Sequence, residues 1–183
     1  RGLGDVYKRQ VEDIDLNFDD YVQRINSDLV GKYLNIASRS ASFLKKNNNI
    51  LSTNIDNNIL DNLESKKDEV VSLYESREYS KLVRIIMDLA DDVNKYINEQ
   101  TPWKKEMDEA VDISSTAIKA FYILSLYLHP IIPSITNEAF KFLNIKKVSI
   151  NNVDEAVTKI NDYKPLLNRL EKIIIPEEEN MDN

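Results

Sequence analysis

Cysteine is absent from all 183 residues, so no disulfide framework, thiolate metal site or cysteine nucleophile can form. Histidine occurs once, at position 129, which leaves a His-rich zinc site or a serine–histidine triad little to draw on. Of the three glycines, Gly31 is the only one after residue 10, so no phosphate-cradling glycine loop is available. No apolar run approaches the ~18 residues needed to span a bilayer, and no signal peptide is visible. A cytoplasmic protein with no membrane partner is the resulting expectation. The carboxylates are many, but none are paired in a way that marks acid–base catalysis. Neither a catalytic residue nor a metal ligand is expected in this chain.

Apolar residues make up 42 % and charged residues 30 %, the balance of a folded chain rather than a disordered one. The net charge of −7 argues, on average, against a phosphate-rich partner. The acid is concentrated, however, in 12–20, in 88–92 and in Glu177-Glu178-Glu179, so a local basic site stays open. The opening RGLGDVYKRQ holds two of the three glycines and reads like translated adapter sequence. Residues 1–10 are therefore expected to be a non-native leader. A helical bundle is expected over 11–147, a distinct C-terminal segment over 148–175, and an acidic disordered tail over 176–183.

Helical spacing dominates what remains. The first pattern runs from Asn17 to Lys46, with Asn17 as N-cap and Asp20 as a capping-box-like partner. Val22, Ile25, Leu29, Tyr33 and Ile36 share its apolar face. Loop with short helical pieces is expected from Ile50 to Leu63, and a second pattern starts near Lys66. After a pause at 76–80, a third pattern carries Leu82, Ile86, Leu89, Val93 and Ile97 and ends near Thr101, ahead of Pro102. A fourth runs from Asp112 to Leu128, a fifth is capped by Ser134, and a last helix spans Pro165 to Ile174. Val148-Ser149-Ile150 reads as a short extended piece. The fold class is all-α, a helix bundle.

A polar stripe runs beside the apolar face of the first helix: Asp28, Lys32, Asn35, Arg39, Ser42 and Lys46. Asn35 and Arg39 sit one turn apart, and an amide and a guanidinium so placed suit base edges or phosphates. The spacing equally fits an ordinary solvated helix face. Trp103, the only tryptophan, lies in the stretch NEQTPWKK, after Pro102 and before Lys104 and Lys105. It reads either as a core residue at a helix end or as a stacking platform for an unpaired base. His129 at its helix end reads as structural, and Glu75, Arg77 and Glu78 read as a solvated ion-pair cluster.

Three blocks together resemble the anticodon-binding domain of bacterial methionyl-tRNA synthetase: Asp15 to Leu44, Tyr74 to Trp103, and Leu128 to Asn144. They stand in the family's order and spacing. The stretch YKPLLNRLE, from Tyr163 to Glu171, is similar to the segment that ends the enzyme's core and packs back toward its catalytic domain. The resemblance implies a bundle of the class I synthetase type that binds the CAU anticodon loop of methionine tRNA. It implies that Trp103 stacks on an anticodon base, that Asn35 and Arg39 hydrogen-bond the loop, and that Pro102 sets the turn. Lys32, Lys46, Lys104 and Lys105 are then supporting basic contacts.

The full enzyme of that family joins methionine to tRNA through an adenylate, using ATP with Mg2+. Its His-Ile-Gly-His-type motif and Lys-Met-Ser-Lys-Ser-type loop do not occur here, nor does a cysteine zinc knuckle. The chain is therefore expected to be a fragment without cofactor, inactive alone, whose partners are the tRNA and the missing catalytic domain. The same domain from a valine, isoleucine, leucine or cysteine enzyme, or an acidic helical interaction module, are the alternatives.

Overall fold

The computed structural model describes residues 17–150 and 157–171. Among them the regular elements are helical, and pairing of extended backbone is confined to one antiparallel bridge, Ile50 with Lys159. The expected leader over 1–10 and tail over 176–183 lie outside the described residues.

The first helical pattern forms one uninterrupted rod. Helix α1 spans Phe18–Arg24, a π-helical stretch spans Ile25–Leu34, and α2 spans Asn35–Lys46. Asn17 caps the rod as expected, its side-chain oxygen accepting from the Asp19 and Asp20 amides. The π stretch departs from the uniform α-helix the spacing predicts. Gly31 accounts for part of this: a Cβ there would lie 3.1 Å from the Asn26 carbonyl oxygen, so the wide turn closes where a side chain is missing. The apolar face is largely kept, with Leu29, Tyr33 and Ile36 buried and Val22 and Ile25 at its edge.

Helix α3 spans Asn57–Glu64 and is capped by Asp56; α4 spans Lys67–Glu75. The expected pause follows, with Arg77 in the left-handed region at φ 61°. Among the described residues Glu75, Arg77 and Glu78 form no ion pair with one another. Helix α5 then runs Tyr79–Gln100.

Helix α6, Met107–Leu128, is the centre of the bundle and packs against α2, α3, α5 and α7. It begins five residues before the expected Asp112, because Asp108 and Glu109 favour the positive end of the helix dipole. It is long and apolar enough to cross a membrane, but seventeen of its 22 residues are buried within the protein. The Phe121 ring stacks on Tyr33 of the π stretch at 4.8 Å, and the Tyr33 hydroxyl meets Ser125 at 2.6 Å.

Helix α7 spans Pro133–Phe142. It starts at Pro133 rather than being capped by Ser134, because proline's missing N–H costs nothing in a first turn. His129 is structural, as expected: its Nδ1 lies 2.8 Å from the Thr136 hydroxyl and its ring packs edge-on against Phe140.

Val148 and Ser149 form no strand. Residues 157–171 lie across the bundle as an extended strap. The Leu51 amide donates to the Thr158 carbonyl, the Ile160 amide to Asn49, and Tyr163 packs edge-on against Phe142. No helix begins at Pro165. The Leu170 amide donates to Asn26 Oδ1 at 2.7 Å and its carbonyl accepts from Asn26 Nδ2 at 2.9 Å, so its backbone is already engaged in an extended form. Residues 172–174 of that expected helix lie outside the described residues.

Candidate nucleic-acid interface

Three side-chain pairs join the rod to α5: Lys32 with Asp91, Asn35 with Asn94, and Arg39 with Asn98. Each pair is 59 residues apart in sequence, so the two helices run in the same direction and match turn for turn. The Lys32–Arg39 part of the polar stripe is therefore neither free nor randomly solvated, whereas Ser42 and Lys46 beyond it are exposed. That part forms one side of a polar seam.

At the foot of the seam, Lys32 Nζ lies 2.8 Å from Asp91 and 3.5 Å from Asp28. The Asp91 hydrogen bond raises the lysine's pKa above its ordinary value. In the middle, Asn35 Nδ2 donates to Asn94 Oδ1 at 3.1 Å. At the top, Arg39 Nη2 donates to Asn98 Oδ1 at 2.6 Å. Partial burial lowers the Arg39 pKa, but from so high a starting point that the charge persists.

Just past the top of the seam, α5 ends at Thr101, whose φ of 46° and ψ of 58° are left-handed. A β-branched residue is strained there, at a cost of roughly 1–3 kcal/mol. The proline at 102 restricts the helical alternative for Thr101. Pro102 is buried and opens a single turn, Pro102–Lys104, closed by the Lys104 amide on the Thr101 carbonyl. This turn carries Trp103 outward. The ring is 52 % exposed, among the most exposed large apolar side chains described, and so is no core tryptophan. It lies beside α2, with the Arg39 guanidinium carbon 5.4 Å from its centroid.

The turn and the seam thus bring Asn35, Arg39 and Trp103 to one side of the bundle. Lys104, the next residue in the chain, is exposed. Lys105 is turned to the first turn of α6, 3.0 Å from Glu109. Lys46 lies two turns beyond Arg39 and leans over Phe43, with its Nζ 6.0 Å from the ring centroid. Lys32 is held by two carboxylates at the far end. A cleft of about 660 Å³ continues past it, lined by both signs of charge, Arg24, Arg84, Asp28 and Asp88 among them. The described residues hold no cluster of His, Asp and Glu fit for a metal ion.

Asn94 and Asn98 escaped the sequence reading. Their signal was available: two asparagines four apart on α5 repeat the four-residue step of Asn35 and Arg39.

Arranged this way, the surface offers a flat exposed ring, a guanidinium fork and an amide side by side. It can stack one unpaired base and hydrogen-bond its neighbour.

The family model described as the anticodon-binding domain of tRNA ligase matches residues 56–180. That stretch includes Pro102 and Trp103, while Asn35 and Arg39 lie before it. The chain is 40 % identical over 172 residues to the methionine–tRNA ligase of Psychrobacter arcticus, covering 89 % of this chain and 25 % of that protein. It is 40 % identical over 171 residues to the methionine–tRNA ligase of Neisseria meningitidis serogroup C, with the same coverage. The chain thus spans about a quarter of the length of the curated relatives it matches. In fold it is similar to Mycobacterium tuberculosis methionyl-tRNA synthetase in complex with methionyl-adenylate, with a TM-score of 0.73 at 19 % identity over 81 % of this chain and 33 % of that one. The free-state structure of the same enzyme gives 0.73 at 20 % identity over 88 % of this chain and 36 % of that one. With well over half of its length matched, this chain belongs to the family of anticodon-binding domains of tRNA ligases.

Proposed function

We propose that this chain is the anticodon-reading part of a methionine–tRNA ligase and holds the CAU anticodon loop of methionine tRNA. Trp103 stacks on an unpaired base of that loop, while Arg39 and Asn35 hydrogen-bond base edges or backbone beside it. Pro102 fixes the turn, and Lys104 and Lys46 add positive charge along the path of the RNA strand. The observation that carries this reading is the half-exposed Trp103 ring, presented by a strained turn and flanked by Arg39 at 5.4 Å. Bases with a free π face gain roughly 1–3 kcal/mol from such a platform.

The whole protein, on this reading, attaches methionine to its tRNA in the cytoplasm, using ATP with Mg2+ on a catalytic domain. This chain carries neither nucleotide-site motif, so it binds tRNA without charging it. The test uses Trp103 itself, the only tryptophan, as the reporter. Titration with a CAU stem-loop should quench its fluorescence, and loops with other anticodons should bind more weakly. A preference for a valine, isoleucine, leucine or cysteine anticodon would assign the domain to a different ligase. No binding of any loop at low salt would leave an acidic interaction module instead.

A further inference from the structure

We infer that Asn94 sets the reading direction of Asn35 and, through it, the class of base edge accepted at that position; this rests on the anticodon-reading function proposed above. Two backbone carbonyls fix the Asn94 amide. Its Nδ2 donates to the Lys32 carbonyl at 3.0 Å and to the Ala90 carbonyl at 2.9 Å. Carbonyl oxygens only accept, so the Asn94 group facing them is the NH2. Both of its hydrogens are engaged, and Oδ1 is the atom left to face Asn35. An amide oxygen also only accepts, so Asn35 meets it with its own Nδ2, at 3.1 Å. The Asn35 oxygen is therefore directed away from Asn94, with one amide hydrogen still available.

The order of donor and acceptor on the Asn35 amide matters for RNA. In one order, an amide oxygen beside an N–H fits an amino group next to a bare ring nitrogen, the Watson–Crick edge of cytosine or adenine. In the flipped order, the same amide fits a keto group next to a ring N–H, the edge of uracil or guanine. An unrestrained asparagine can adopt either order. Asn94 removes that freedom because its own orientation is dictated by main-chain carbonyls of two different helical segments. It touches no base on this reading and acts as a positioning residue. The fixed order serves one class of edge and not the other, and with the CAU loop proposed above as ligand that class is the amino-bearing one, which cytosine and adenine have.

The test compares the whole chain with Asn94→Ala. Affinities are measured for a CAU stem-loop and for loops in which cytosine is replaced by uracil or adenine by guanine. A bidentate edge contact discriminates by about fivefold or more. Asn94→Ala should lower one of the two preference ratios by at least that factor, through relatively tighter binding of the keto-bearing loop. Parallel weakening of all loops would mean a structural role alone and would overturn the inference. In an Asn35→Ala background the ratio should no longer respond to Asn94→Ala, and a persisting response would overturn it too. If Asn94→Ala fails to fold, Asn94→Ser serves in its place. Side-chain NMR of the unsubstituted chain gives a separate reading: one Asn35 amide hydrogen should be protected from exchange, and two equally unprotected hydrogens would count against the inference. An unsubstituted chain indifferent to the anticodon would sink the proposed function and this inference together. A discriminating chain whose ratios survive Asn94→Ala would sink the inference alone.

Discussion

Arg39 is held between α5 and the turn that follows it: its Nη2 donates to Asn98 at 2.6 Å, and its guanidinium carbon lies 5.4 Å from the Trp103 ring centroid. The first contact fixes the fork in direction, and the second leaves one face of the ring lined by charge. Arginine suits this position because a planar guanidinium can donate in its plane and stack with its face at once.

Trp103→Ala should weaken binding of a CAU stem-loop by roughly 1–3 kcal/mol. The side chain is half exposed, so thermal unfolding should move little. Trp103→Phe should retain most of the affinity, because it keeps a ring to stack on. Isothermal titration with the stem-loop, beside a melting curve, separates binding from folding. Affinity of the Ala variant equal to that of the unsubstituted chain would remove Trp103 from the site.

Arg39→Lys should behave unlike a conservative change. An ammonium cannot hold Asn98 in the fork's plane and also lie flat against the indole. Loop affinity should fall by about tenfold, the scale of one lost charge-assisted hydrogen bond. The emission maximum of the sole tryptophan should shift in the free protein, since the charge beside the ring moves. A double substitution with Trp103→Ala should cost less than the sum of the singles, because the two side chains are in contact.

Thr101→Gly should stabilise the chain. Thr101 holds φ 46° and ψ 58°, a region in which glycine meets no Cβ clash. Relief of about 1 kcal/mol should raise the melting temperature by roughly 2–4 °C for a domain of this size. Loop binding should weaken at the same time, because a glycine before Pro102 frees the turn that presents Trp103. Stability and affinity moving in opposite directions is the signature to look for.

Asn26→Ala should release the strap without unfolding the bundle. The Asn26 amide makes both hydrogen bonds to the Leu170 backbone, one in each direction. Its loss should open 163–171 to limited proteolysis while the central helices stay protected. An unchanged digestion pattern would mean that Tyr163 and the bridge at Lys159 hold the strap alone.

Local rules made much of this fold readable. Asn17 starts one helix and Thr101-Pro102 stops another because each acts through its own neighbours, and those signals are written in two or three letters. The π stretch was not legible, since its cause includes the space between Gly31 and the Asn26 carbonyl rather than a change of period. The strap is not legible for a related reason. Pro165 to Ile174 has a helix's spacing, but Asn26, 144 residues away, engages the Leu170 backbone first. The site divides in the same way. Trp103 stood out as the sole tryptophan beside a proline. Asn35 and Arg39 stand out from spacing alone only as a stripe, and the four-residue step shared by Asn94 and Asn98 gains its meaning only once α5 is laid alongside.

Stability should fall steeply at alkaline pH through buried tyrosines. Burial pushes the Tyr33 and Tyr127 hydroxyls far above their ordinary range, and it pushes half-buried Tyr74 up to about 12. In the unfolded chain these groups lose their protons near pH 10. Their folded pKa values are raised, so their contribution is fully present below pH 10 and is lost as the pH climbs toward the folded values. Between pH 10 and 12 the native state holds protons that the unfolded state has released. The slope for a fully buried tyrosine such as Tyr33 is about 1.4 kcal/mol per pH unit. Melting temperatures should therefore be flat from pH 7 to 9.5 as far as these groups are concerned and drop beyond it. Tyr33→Phe should flatten the drop. It keeps the stacked ring on Phe121 and leaves Ser125 donating to the Phe121 carbonyl at 2.6 Å, so neither packing nor that hydroxyl is stranded. A drop of unchanged steepness in the Phe variant would remove Tyr33 from the alkaline transition and leave it to Tyr127, Tyr74 and the lysines, with Lys32 and its Asp91 partner the first ion pair to examine.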